Sequence, residues 1–239
     1  MDGMLSQEEI NALLGGMGDS AENTSDVVAS EPTPAAADSN ERLSPEESDA
    51  LGEIANISMG TAATTLSVLV NNRVEITTPK LSYVTLDDLK EQNPAPCVFI
   101  YISYRTGLEG KNILVLKEHD VKVITDLMMG GDGTNTDAEL TDLHLSAISE
   151  AMNQMMGSAA TSMSSMINEK VDISPPSSTR VDLTDTMMED GLHDMVGQTF
   201  VQVSFRMTIG DLVDSEIMQL YPFDFAKLIY TRFRSTMEG

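Results

Sequence analysis

Basic residues are scarce in this chain. Its 239 residues hold 14 Lys and Arg against 38 Asp and Glu, a formal net charge of −24. A surface so acidic repels phosphate backbones and anionic bilayers. Nucleic acid is therefore set aside as a partner, and a protein with a basic face is favoured. Cysteine is scarcer still: Cys97 stands alone, which excludes a disulfide framework and a thiolate metal cluster. His119, His144 and His193 are scattered without ligand spacing, so no metal site is expected. Tryptophan is absent, and the 17 methionines suit the packing of helices. No apolar run approaches the ~20 residues of a membrane-spanning helix, and no signal peptide opens the chain. A cytoplasmic protein without membrane insertion is expected.

What the chain does contain is a repeat. Asp49, Glu53, Asn56 and Gly60 return as Ser146, Glu150, Asn153 and Gly157, at an offset of 97 residues (150 − 53). The match continues. Ala62-Ala63-Thr64 returns as Ala159-Ala160-Thr161, Arg73–Thr77 as Lys170–Ser174, and Pro79 as Pro176. At about 100° per residue, Glu53, Asn56 and Gly60 share one helical stripe. Leu51, Ile54, Ala62, Leu66 and Leu69 oppose them. In the second copy Glu150, Asn153 and Gly157 oppose Ile148, Met152, Met155, Ala159, Met163 and Met166. Glycine inside a helix costs roughly 1 kcal/mol against alanine. Once, it would be incidental on a solvated face. Twice, at matched positions, it marks a face that something approaches closely.

The remaining chain orders itself around these helices. Residues 1–16 form a short helix with a Ser6/Glu9 capping box, a Leu5/Ile10 staple, and an apolar edge of Ile10, Leu13 and Leu14. Residues 17–42 form an acidic linker, disordered by composition, so the first helix reads as a tethered recognition peptide for a partner's groove. Residues 43–239 form the folded domain. Ser44-Pro45-Glu46-Glu47 caps its first motif helix, and Thr141, at the same offset, caps the second. Strands are expected over 73–83, 98–104 and 111–116, a loop over 87–96, and a helix over 119–129. After the second motif helix come a strand over 170–183 with Pro175-Pro176 inside it, hence an edge strand or a bulge, a polar loop over 184–197, strands over 200–207 and 212–220, and a helix over 222–233. The fold class is α/β in the α+β sense. Two α-β-β-β-α halves, 43–133 and 138–236, are related by a pseudo-two-fold and share one sheet.

The exposed stripe offers one carboxylate and one carboxamide per copy. No Ser–His–Asp arrangement accompanies them. Gly130-Gly131-Asp132-Gly133 lacks the lysine and the preceding strand of a phosphate loop, so it reads as a turn. A carboxamide is no base at neutral pH, but it can hold a water in line with a phosphorus. The glutamate can pair with a partner's cation. Taken alone, the residues suggest assisted hydrolysis on a partner that supplies the metal and the electrophile.

Two (D/S)-x-x-x-E-x-x-N-x-x-x-G segments resemble the signature of the CheC, CheX and FliY phosphatases of bacterial chemotaxis. The segment Leu5–Leu14 resembles the N-terminal CheY-binding segment of flagellar switch proteins. The pair of features points to the flagellar-switch branch of that family. The resemblance implies a CheC-like domain acting on phosphorylated CheY, whose Mg²⁺ is held by CheY itself, with no cofactor in this chain. Asn56 and Asn153 would align the attacking water. Glu53 and Glu150 would hold CheY through its active-site lysine. Gly60 and Gly157 would allow close approach, with Asp49 and Ser146 supporting. Leu5, Ser6, Glu8, Glu9, Ile10, Leu13 and Leu14 would bind CheY. FliM, FliG and FliN are the implied neighbours, at the cytoplasmic face of the flagellar basal body. A FliN-like domain normally follows in that branch, and this chain stops at Gly239. Two other classes remain: a non-catalytic, FliM-like switch module, which the intact Glu/Asn pairs oppose, and a small-molecule binding domain.

Overall fold

The computed structural model describes residues 41–184 and 190–238. The recognition helix expected at 1–16 and the linker as far as Asn40 lie outside the described residues. The last two residues assigned to the linker already touch the domain. Glu41 pairs with Lys227, and the Arg42 guanidinium carbon sits 4.7 Å from the centre of the Tyr83 ring.

Helix α1 (Pro45–Val70) begins where the sequence predicts. The Ser44 hydroxyl accepts from the Glu47 N–H at 3.1 Å, and the Glu47 carboxylate accepts from the Ser44 N–H at 2.7 Å. Pro45 takes the first helical position, where it has no N–H bond to lose. Strand β1 (Val74–Thr85) follows, then helix α2 (Leu86–Gln92). This helix corrects the loop expected over 87–96. Thr85 and Asp88 form a second capping box, with the Thr85 N–H donating to Asp88 at 2.7 Å, and Leu86 and Leu89 are buried. Seven residues are too few for a helical period to stand out. Strands β2 (Cys97–Thr106) and β3 (Gly110–Lys117) and helix α3 (Glu118–Met128) complete the first half.

Helix α4 (Asp142–Ile167) opens the second half. Here the Thr141 N–H donates to His144 Nδ1 at 3.1 Å. Strands β4 (Asp172–Ile173) and β5 (Ser177–Val181) are one strand broken by Pro175-Pro176. The loop expected over 184–197 contains a 3₁₀ turn, Asp190–Met195, that buries Leu192 and Met195. Residues 185–189 lie outside the described residues. Strands β6 (Thr199–Ile209) and β7 (Val213–Tyr221) lead into helix α5 (Phe223–Glu238), which runs further than the expected 222–233.

The sheet order is β1-β6-β7-β3-β2-β4, with β5 also paired to β2, and every pairing is antiparallel. Exchanging β1 with β4/β5, β2 with β6 and β3 with β7 reverses this order and changes nothing else. That is the mark of a two-fold through the β3–β7 seam, where Leu114 pairs with Gln219. Both proline-bearing strands lie at sheet edges, where a missing N–H breaks no ladder. Their outcomes differ: Pro79 produces a bulge between Thr77 and Lys80 in a continuous β1, whereas Pro175-Pro176 splits its strand. Helices α1 and α4 cover one face of the sheet, packing Leu51, Ile54, Leu66, Met152 and Met155 onto Ile100, Leu114, Val203 and Phe205. On the other face Leu86, Leu89, Leu192 and Met195 cover Phe99, Phe200 and Leu220.

The repeat holds in atomic detail. The Ser67 hydroxyl donates to Ala63 O at 2.8 Å and accepts from the Val74 N–H at 2.9 Å. The Ser164 hydroxyl does the same with Ala160 O and the Val171 N–H, both at 2.8 Å. Each motif helix ends on an asparagine in the left-handed region, Asn71 at φ 48° and Asn168 at φ 51°. The two helices touch through Thr65 and Ser158, 2.5 Å between hydroxyls, and through Thr61 and Ser162, 3.5 Å. At the 97-residue offset Thr61 corresponds to Ser158 and Thr65 to Ser162. Each contact therefore maps onto the other, as a two-fold axis demands.

Candidate functional site

Helix α1 buries Leu51, Ile54, Ala62 and Leu66 and half-buries Leu69, which turns Asp49, Glu53, Asn56 and Gly60 to solvent along one stripe. Helix α4 buries Ile148, Met152, Met155, Ala159 and Met163 and half-buries Met166. Its outward stripe carries Ser146 and Glu150, both exposed, and Asn153 and Gly157, both half-buried. The structure thus brings together, in two separate sets, the motif residues picked out from sequence. Leu5, Ser6, Glu8, Glu9, Ile10, Leu13 and Leu14 lie outside the described residues. Among the described residues the carboxamides of Asn56 and Asn153 have no hydrogen-bond partner, so both are free to bind a water or a partner.

The helix contacts also set the spacing of the two sets. Thr61 meets Ser162 and Thr65 meets Ser158, so the helices run antiparallel where they touch. Each asparagine lies about 10 Å before the crossing, at 1.5 Å per residue, and the two are roughly 20 Å apart along the helices. They do not form one composite site.

Neither motif glycine is explained by packing among the described residues. A Cβ built on Gly60 or Gly157 would meet nothing within 4 Å. The Gly130–Gly133 segment, in contrast, is a structural turn after α3. Asp126 accepts from the Gly133 N–H at 2.8 Å, Gly133 sits at φ 83°, and a Cβ there would strike Leu212 at 2.6 Å.

Sequence reasoning does not find two features of the second set. A groove of about 550 Å³ runs beside α4, lined by Asp142, Ser146, Ser149, Glu150 and Asn153 and walled by Pro175-Pro176. Serines hold its far wall in place: the Ser149 and Ser178 hydroxyls are 2.7 Å apart, and Ser178 donates to Leu145 O at 2.7 Å. In addition, Gln154 Nε2 donates to Glu150 Oε1 at 2.8 Å. The residue matching Gln154 in the first copy is Ile57, whose side chain is exposed. Reading the copies for their differences as well as their identities would have exposed this pair.

Among the described residues no group of three or more His, Cys, Asp or Glu is placed to hold a metal. Cys97 is no nucleophile at neutral pH: burial, with Asp182 adding to it, pushes its thiol up to about 12. The site can therefore hold a cation with a carboxylate and orient a water with an amide. Among the described residues no helix is long and apolar enough to cross a membrane.

A duplicated Glu/Asn helix laid across a shared antiparallel sheet defines a class. The chain belongs to the CheC-like family, whose model matches residues 46–83 and 143–180, two segments at the same offset of 97 (143 − 46). Within that family its similarity runs to FliY. The flagellar motor switch phosphatase FliY of Bacillus subtilis (strain 168) is 46% identical over 223 residues, 93% of this chain and 56% of that protein. The chain thus spans little more than half the length of that curated relative. The X-ray crystal structure of Thermotoga maritima FliY matches with a TM-score of 0.73 and 39% identity, covering 81% of this chain and 98% of that one. FliM from H. pylori, in its complex with FliG, matches with a TM-score of 0.61 at 17% identity, over 79% of this chain and 100% of that one, a likeness of fold alone.

Proposed function

We propose that this chain is a flagellar motor switch phosphatase that removes the phosphoryl group from CheY. The supporting observation is a pair of solvent-facing stripes, each with a glutamate and, one turn on, an asparagine unpartnered among the described residues, in a chain 46% identical to a phosphatase of that name. CheY supplies the aspartyl phosphate and the magnesium. Glu53 or Glu150 pairs with the CheY active-site lysine and seats the helix against it. Asn56 or Asn153 accepts a hydrogen bond from a water and turns the water oxygen toward phosphorus. The oxygen–phosphorus bond forms, the acyl phosphate bond breaks, and the aspartate leaves as a carboxylate. Positioning of this kind is most of what a protein can add to phosphoryl transfer. FliM, FliG and FliN are its neighbours, at the cytoplasmic face of the flagellar basal body.

A time course of phosphate loss from CheY tests this. Asn56→Ala and Asn153→Ala should each lose part of the activity while keeping the fold, since both side chains face away from the core and alanine is the better helix former. The double variant should fall to the spontaneous rate. The competing reading is a switch module that binds CheY without hydrolysing it. A folded double variant as active as the wild type would leave only that reading.

A further inference from the structure

On the reading that both stripes act on phosphorylated CheY, we propose that the two sites are unequal and that the residue four places after each motif glutamate sets the difference. Ile57 makes the first site the tighter docking point, and Gln154 holds the second site back.

The second glutamate is already engaged. Gln154 Nε2 donates to Glu150 Oε1 at 2.8 Å, so an arriving ammonium must displace that amide or share the carboxylate with it. Glu53 has no such neighbour, because its counterpart of Gln154 is Ile57. The Ile57 side chain is 43% exposed, so the core does not account for it. Isoleucine is also a weaker helix former than glutamine, so helix propensity does not account for it either. Standing one turn from Glu53, it offers apolar surface that a docked partner would cover. Covering it removes water from beside the ion pair, which strengthens the pair as well as burying hydrocarbon. Access differs in the same direction. Asn56 lies on open surface, whereas Asn153 is half-buried beside the Pro175-Pro176 wall, so a partner must enter a groove to reach it.

The two sites can be separated in the full chain. Asn153→Ala leaves the first site working and Asn56→Ala leaves the second. Initial rates of phosphate release, at a series of phosphorylated CheY concentrations, give KM and kcat for each. KM should be about tenfold lower for the first site, the effect of roughly 1.4 kcal/mol, with kcat similar. Ile57→Gln in the Asn153→Ala background should raise KM. Gln154→Ile in the Asn56→Ala background should lower it, and Gln154→Leu repeats that test without a β-branched residue in the helix. Circular dichroism checks that each variant is folded. Equal KM values for the two single-site forms, or exchanges that leave KM unchanged, overturn the proposal while the phosphatase reading stands. A wild-type chain that does not accelerate phosphate loss overturns that reading, and this proposal with it.

Discussion

One serine in each half fastens a motif helix to the strand that follows. Ser67 and Ser164 each bridge a helix carbonyl and a strand N–H, with matching distances within 0.1 Å. Alanine at either position leaves the buried Val74 or Val171 N–H without its partner. Ser67→Ala and Ser164→Ala should each cost about 1–3 kcal/mol in urea denaturation, and the two losses should be alike. Clearly unequal losses would mean that matched geometry does not carry matched energy here. Cys97 supports a second prediction at this scale. Its thiol rises from 9.0 to about 12 on folding, so folding favours the neutral form. That contribution is whole below pH 9 and is lost as pH climbs from 9 through about 12. A thiol reagent at pH 8 should leave the native protein unlabelled and react fully once urea unfolds it. Cys97→Ala should lessen the loss of stability above pH 9.

The motif helices put a specific question to their glycines. Gly60 and Gly157 touch nothing that an added methyl would displace, and both sit inside long helices. Gly60→Ala and Gly157→Ala should therefore stabilise the fold by up to about 1 kcal/mol each. If the glycines serve a partner's approach, the same variants should bind phosphorylated CheY more weakly. Thermal melting and a binding titration read the two effects apart, and unchanged binding would return the glycines to chance. These helices were legible in the sequence because two copies fix the same stripe, and the stripe of Glu53 and Asn56 is set by helical spacing alone. The edge position of the strand over 170–183 was legible too, because Pro175 and Pro176 cannot sit in a central strand, but its division into β4 and β5 was not. Helix α2 was not, since its signal is a Thr85/Asp88 box followed by only two buried leucines. The groove at Asn153 was not either, because it exists only where α4 passes the β4–β5 break.

At the scale of the whole molecule, the N-terminal segment is expected to govern capture rather than chemistry. Residues 1–16, whose sequence predicts a capped helix, are separated in sequence from both motifs by an acidic stretch expected to act as a tether. Tethering lifts the local concentration of a bound substrate to about millimolar for a short flexible linker. Deleting residues 1–16 should raise KM and leave kcat nearly unchanged. Loss of turnover at saturating substrate would show that the segment belongs to the catalytic step. The two-fold axis through the β3–β7 seam bears on ancestry as well. A homodimer of one α-β-β-β-α unit, joined across that seam, would have the same sheet and the same helix crossing. It could never have an isoleucine at one site and a glutamine at the other, because a single gene would encode both. Fusing the two copies into one chain releases each from the other's sequence, so one can be tuned for capture while its twin is free to change.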